Sequence, residues 1–152
     1  MDISVWFIVV FVIMWIIGPL SQVLMLVAPK LHMWLGLMEA DAYKPEFKWF
    51  LLEQKSIAYA DLTQLASGVG FLALALADNE WAPLFGIFSC AIYVYFPAQW
   101  LADIVLLIQH DISPVRPAQL RIYLVYMALF VAFGLYGMYY LFDLTLTQTT
   151  VP

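Results

Sequence analysis

Residues 56–108 read SIAYADLTQLASGVGFLALALADNEWAPLFGIFSCAIYVYFPAQWLADIVLLI and contain two long apolar runs joined by a tight polar turn. The runs, residues 56–77 and 83–108, are each long enough to cross the roughly 30 Å hydrocarbon core of a bilayer, which takes about 20 apolar residues as an α-helix. The turn is so short that the two helices must lie side by side and run in opposite directions. This stretch therefore predicts a helical hairpin in a membrane.

Two further apolar runs, residues 3–27 and 120–142, flank the hairpin. Of the 152 residues, 65% are hydrophobic and only 11% are charged, whereas about one quarter of the residues of a soluble domain are charged. We therefore predict an all-α polytopic membrane protein, an antiparallel bundle of four transmembrane helices that forms a single domain over residues 1–152. Its first expected partner is the lipid bilayer.

The positive charges predict how this bundle is oriented. All of the basic side chains lie in or beside the connections between spans 1 and 2 and between spans 3 and 4: Lys30, Lys44, Lys48, Lys55, Arg116 and Arg121. Because Lys and Arg collect in cytoplasmic loops, we expect both connections in the cytoplasm and both termini on the non-cytoplasmic side. The expected location is a bacterial inner membrane.

The first connection and two prolines add detail to the spans. Residues 28–55 mix apolar and charged side chains, which is typical of a segment at the membrane interface. We predict an interfacial helix around residues 31–38, a turn at residues 40–44, and a helix that begins near Pro45 and continues into span 2. Proline inside a helix removes a backbone donor, so kinks are expected at Gly18-Pro19 and at Pro97.

Two carboxylates lie inside the predicted spans, Asp61 in span 2 and Asp103 in span 3, each about 8 to 9 Å from the cytoplasmic end of its helix. Gln64 and Gln99 lie one turn away on the same helix faces, and Gln22 lies at a similar depth in span 1. Polar groups inside a membrane normally face the interior of a bundle. These five residues predict one polar cluster that could bind a proton, a cation or the amine of a lipophilic ligand.

A structural role for the same residues is the alternative. Asp61 could reach toward Lys55 at the interface, Asp103 could pair with Arg121, and the amides could simply join helices through hydrogen bonds. Small residues also recur at helical spacing and predict a helix-packing seam, because close approach drives helix association in lipid. The seam comprises Ala66, Gly70, Ala73 and Ala77 in span 2 and Gly134 and Gly137 in span 4.

Several kinds of chemistry are disfavoured because this sequence lacks the residue groupings that they require. His32 and His110 fall outside the spans, no Cys/His grouping has metal-ligand spacing, and neither a phosphate-binding loop nor a nucleophile motif occurs. No basic helix suits nucleic acid. We expect no metal, cofactor or nucleic acid, and enzymatic activity is disfavoured, with acid chemistry by the two Asp residues on a lipid as its one defensible form.

Two functions remain open. The first is a non-enzymatic accessory or packing subunit, whose seam docks a membrane-protein partner or a second copy in a homo-oligomer. The alternative is a small proton- or cation-coupled transporter or lipophilic-ligand-binding protein that uses the polar cluster.

Overall fold

The computed structural model describes residues 3–38, 40–110, 115 and 117–149. Over these residues the chain forms α-helices and short 3₁₀ turns, with no strand. The α-helices are α1 (Val5–Ile17), α2 (Pro19–Val27), α3 (Pro29–Trp34), α4 (Lys48–Leu76), α5 (Ala82–Gln109) and α6 (Pro117–Thr149). The 3₁₀ turns are Ala40–Tyr43 and Pro45–Phe47.

The described residues contain four helical segments that are long and apolar enough to cross a membrane: Val5–Val27, Pro45–Leu76, Ala82–Gln109 and Gln119–Thr147. Each contains most of one of the four apolar runs predicted from the sequence. The helix predicted to begin near Pro45 and continue into the second run is also confirmed, since α4 extends from Lys48 to Leu76 without interruption.

The first apolar segment is divided at Gly18. The Gly18 N–H donates to the Met14 carbonyl oxygen at 2.9 Å and ends α1, and Pro19 begins α2. The break lies where this segment approaches α5 and α6, because a Cβ added at Gly18 would lie 3.4 Å from the Tyr93 ring and 3.6 Å from the Phe130 ring. The interruption predicted at Gly18-Pro19 is therefore confirmed, whereas Pro97 lies inside α5 without ending it.

The short helix after α2 differs in its limits from the one predicted at residues 31–38. It begins at Pro29 and ends at Trp34, because Gly36 adopts a left-handed conformation with φ of 68°. The Leu37 N–H then donates to the His32 carbonyl oxygen and the Gly36 N–H to the Met33 carbonyl oxygen. This is the Schellman arrangement that closes a helix at its carboxyl end, and it turns the chain back toward α4.

The turn between α4 and α5 also contains a left-handed residue shortly after the end of a helix. Asp78 takes the left-handed position with φ of 49°, and the Asn79 N–H donates to the Leu74 carbonyl oxygen at 2.9 Å. Aspartate is one of the few residues other than glycine that accept this conformation. The Asn79 side chain then accepts a hydrogen bond from the Trp81 N–H at 3.0 Å, so local hydrogen bonds close the turn. Helix α5 begins with proline in its first turn.

Two apolar clusters hold the helices together. The larger, which we call the aromatic core, contains Phe7, Phe11, Phe71, Ala82, Cys90, Tyr93, Phe130, Phe133 and Leu141. The smaller, which we call the second core, contains Ala42, Phe50, Trp100, Ile104 and Leu107. In the aromatic core the rings of Phe11 and Phe71 lie 4.6 Å apart between centroids. The aromatic core joins α1, α4, α5 and α6, and the second core joins α4, α5 and the turn before α4.

The predicted small-residue seam is divided between the inside and the outside of this fold. Gly134 and Gly137 of α6 are buried against α5, where a Cβ added at Gly134 would lie 2.7 Å from the Cys90 carbonyl oxygen. On α4, Ala66 and Ala73 are exposed, as is Ala77 directly after the end of the helix, and Gly70 is half-buried beneath the Phe85 ring. The α6 part of the seam thus packs within the chain, and the α4 part lies mostly on its exterior.

Candidate functional site

A cavity of about 620 Å³ lies between the aromatic core and the second core. Tyr93 and Phe130 line it on the side of the aromatic core, and Phe50 and Trp100 line it on the side of the second core. The junction of α1 and α2, the loop that follows α3, and α6 supply the rest of the wall. Most of the lining is aliphatic or aromatic, so the polar side chains that reach it determine what it can hold.

Helix α4 presents a polar face to this cavity. Gln54, Asp61 and Gln64 all line it, because spacings of seven and three residues return to the same side of an α-helix. Gln54 and Gln64 are buried, with 7% and 4% of their surfaces exposed, and Asp61 is half-buried. The Gln64 side-chain amide donates to the Ser89 carbonyl oxygen at 3.5 Å, which ties α4 to α5.

Asp61 makes neither a hydrogen bond nor an ion pair with any residue that the structure describes. Lys55, the cation considered for it from the sequence, does not pair with it. The lining residues include no Lys or Arg within the described part of the chain, and Asp61 is the single carboxyl group among them. Among the residues that the structure describes, no cation therefore lies at the cavity to balance this carboxyl group.

Two other buried polar atoms of the lining lack a hydrogen-bond partner among the described residues. They are Nε2 of Gln54 and the hydroxyl oxygen of Tyr93, and Tyr93 is only 2% exposed. A buried polar group left without a partner costs about 1–3 kcal/mol. Such groups are uncommon in folded proteins, and when they gather around a cavity they indicate a site for a molecule that can bond to them.

His32 of α3 also lines the cavity. Its side chain is 4% exposed, and its Nδ1 forms a hydrogen bond of 3.1 Å with the hydroxyl group of Tyr43. Burial lowers the pKa of His32 from its usual value of 6.5 and raises the pKa of Tyr43. The imidazole is therefore neutral at pH 7 and adds no positive charge to the cavity.

The structure divides the five polar residues that the sequence predicts as one cluster. Gln22, Asp61 and Gln64 meet at the cavity. Gln99 and Asp103 are half-buried on α5 and lie outside its lining. Oδ2 of Asp103 is buried without a hydrogen-bond partner among the described residues, and this carboxyl group lies within electrostatic range of Glu53 on α4. Asp103 does not pair with Arg121.

Among the polar residues of the cavity that sequence reasoning missed are Gln54, His32 and Tyr93. Gln54 had a readable signal, because it precedes Asp61 by two helical turns, but a span that begins at residue 56 excludes it. Tyr93 is one of many aromatic residues in span 3, and nothing in the sequence pattern distinguishes it from the others. His32 lies in a mixed apolar and charged connection, which predicts an interfacial side chain rather than a buried one.

Nowhere in the described part of the chain do three His, Cys, Asp or Glu side chains come together as metal ligands would.

Comparisons with protein-family models, with curated proteins and with solved structures found no match for this chain. Function is therefore inferred from the residues and geometry of the cavity.

Proposed function

We propose that this chain is an integral protein of a bacterial inner membrane whose four apolar segments run antiparallel, with both termini on the non-cytoplasmic side. Large apolar side chains on the exterior support insertion, among them Leu76 at 83% exposed and Phe88 at 55%, because soluble proteins rarely expose such continuous apolar surfaces.

The antiparallel arrangement is supported by paired contacts. Along α5, Gly86 and Cys90 lie in order against Leu141 and Gly137 of α6, whose numbers decrease.

Reporter fusions test this orientation. A periplasm-active phosphatase fused to the carboxyl terminus is expected to be active, and the same enzyme inserted after Lys44 is expected to be inactive, because Lys and Arg keep that connection in the cytoplasm. A green fluorescent protein at the same two positions should give the opposite pattern. Activity of the phosphatase at both positions, or recovery of the protein in the soluble fraction without detergent, would contradict the proposal.

Within this membrane protein we propose that the cavity binds a small lipophilic molecule. The observation that carries the proposal is the cavity itself, since sites for small molecules typically have volumes of roughly 300–1,000 Å³ and apolar walls with a few placed polar groups. The lining of this cavity combines such walls with the unpartnered polar atoms of Gln54 and Tyr93. The same site would serve a ligand-binding protein or a small transporter, because transport also begins with binding.

Filling the cavity with an indole ring is expected to abolish this binding. Leu24 of α2 lines the cavity, and Leu24→Trp should weaken the binding of tritiated dodecanol at least about tenfold, a change of about 1.4 kcal/mol. Binding is measured by scintillation proximity on immobilised protein in a nonionic detergent.

Val27→Trp is the matched control, because Val27 lies on the same helix, is 73% exposed and does not line the cavity. It should bind the probe like the native protein, and the thermal unfolding of both variants verifies that they are folded. Equal affinities in the two variants would overturn the proposed binding function.

A packing or accessory subunit is the second candidate function. It is favoured by the exposed small residues Ala66 and Ala73 on α4 and Ala77 directly after it, since helices in lipid associate where small residues permit close approach. The contact would be made with another membrane protein or with a second copy of the chain. Such a subunit needs no molecule in its cavity, so the dodecanol experiment separates the two functions.

A further inference from the structure

The charge of the cavity narrows the class of molecule that it can bind. Asp61 is the single carboxyl group of the described lining, no Lys or Arg there balances it, and His32 is neutral at pH 7. An ionised carboxylate inside a membrane is costly unless it is paired. A ligand that carries a positive charge would supply the partner that the described chain does not.

Tyr93 lies at the same level of the bundle as Asp61. The hydrogen bond between Gln64 and Ser89 fixes the register of α4 against α5. Asp61 lies one turn before Gln64 on α4, and Tyr93 lies one turn after Ser89 on α5. In an antiparallel pair of helices, a step backward along one helix and a step forward along the other lead toward the same end of the pair. A primary ammonium group has three N–H donors, so pairing with the Asp61 carboxylate leaves donors for the Tyr93 hydroxyl, which has no partner among the described residues.

The aromatic lining also favours a cation. Besides Tyr93, the rings of Phe96, Trp100, Tyr126 and Phe130 line the cavity. The faces of aromatic rings attract ammonium groups, and this attraction strengthens where water is excluded. The aliphatic side chains between them suit a hydrocarbon body, so the lining fits a molecule with one positive charge and an otherwise apolar surface.

We propose that the molecule bound in this cavity is a lipophilic primary amine, whose ammonium group pairs with Asp61 and whose hydrocarbon chain lies among the aromatic and aliphatic side chains. This assignment rests on the proposed ligand-binding function and names its ligand class.

Three probes with twelve carbon atoms test the assignment: dodecylamine, dodecanol and dodecanoate, whose head groups are cationic, neutral and anionic. At pH 7 in a nonionic detergent, the native protein is expected to bind the amine at least about tenfold more tightly than the alcohol and the carboxylate most weakly, because a charged hydrogen bond is worth more than a neutral one. Asp61→Asn should reduce the preference for the amine over the alcohol to less than about threefold.

Asp103→Asn is the matched control, since it removes the other carboxyl group of the predicted cluster, which lies outside the cavity. This variant should retain the native preference. Equal affinities of the native protein for amine and alcohol would overturn the amine assignment and leave the proposed binding function standing, and this comparison needs no variant. A preference that survives in Asp61→Asn, or disappears in Asp103→Asn, would also overturn the assignment. Failure of all three probes to bind would instead overturn the proposed function.

Discussion

Phe71→Ala is expected to lower the free energy of unfolding by about 2 kcal/mol, because it removes about 100 Å³ of side chain and a void costs about 24 cal/mol per Å³. Phe71 is fully buried, and its ring lies 4.6 Å from that of Phe11 and 6.1 Å from that of Phe7 between centroids. The usual gain from removing apolar surface from water contributes little inside a bilayer, since lipid solvates the same groups. The expected loss is therefore one of packing, and thermal unfolding of the purified protein in detergent measures it.

Phe88→Ala makes the same truncation on the exterior of α5, where the side chain is 55% exposed. Its effect on the unfolding temperature should be small, since a surface substitution away from special features usually changes stability by less than about 0.5 kcal/mol. If the two variants unfold at the same temperature, the aromatic core does not stabilise the fold in the way described.

Gly134→Ala is expected to destabilise the bundle by about 1–3 kcal/mol through overpacking. The added Cβ would lie 2.7 Å from the Cys90 carbonyl oxygen and 2.9 Å from Cγ2 of Val94, so α5 and α6 must move apart to admit it. A backbone oxygen cannot rotate away as the end of a side chain can. The measurement is again the unfolding temperature in detergent.

Gly70→Ala provides the comparison for this substitution. Its Cβ would lie 2.8 Å from Cδ1 of Phe85, a side chain that is 40% exposed and free to turn outward. Alanine also favours a helix over glycine by about 0.8–1 kcal/mol, so this variant should unfold at or above the native temperature. A loss of stability at Gly70 as large as that at Gly134 would contradict the contact described between α5 and α6.

The number and approximate positions of the long helices could be predicted because length and composition set them, although α6 continues to Thr149, beyond the predicted end at residue 142. Twenty or more apolar residues have few alternatives to a helix in lipid, and Gly18-Pro19 marks a break that sterics require. The short helix α3 was predicted less well, because its end depends on the conformation of Gly36. That conformation is decided by the reversal of the chain toward α4 and by no local periodicity.

The candidate site was only partly predictable for a different reason. Helical rise gives the depth of Asp61 and Asp103, but not the direction in which each points around its helix axis. A helix that is apolar on all sides has no contrast to orient it, so neighbours decide its rotation. Gln22 and Gln64 met Asp61 at the cavity, whereas the rotation of α5 placed Gln99 and Asp103 elsewhere.

The division of the first apolar segment at Gly18 gives α1 and α2 different packing contacts. Pro19 has no N–H to offer the Trp15 carbonyl oxygen, so the hydrogen-bond ladder of α1 does not pass unbroken into α2. Helix α1 carries Phe7 and Phe11 into the ring cluster, and α2 supplies part of the cavity wall. Substitutions in α2 can therefore change the shape of the cavity while the ring contacts of α1 are preserved, so that the ligand selectivity proposed for this cavity and the thermal stability of the protein can change independently.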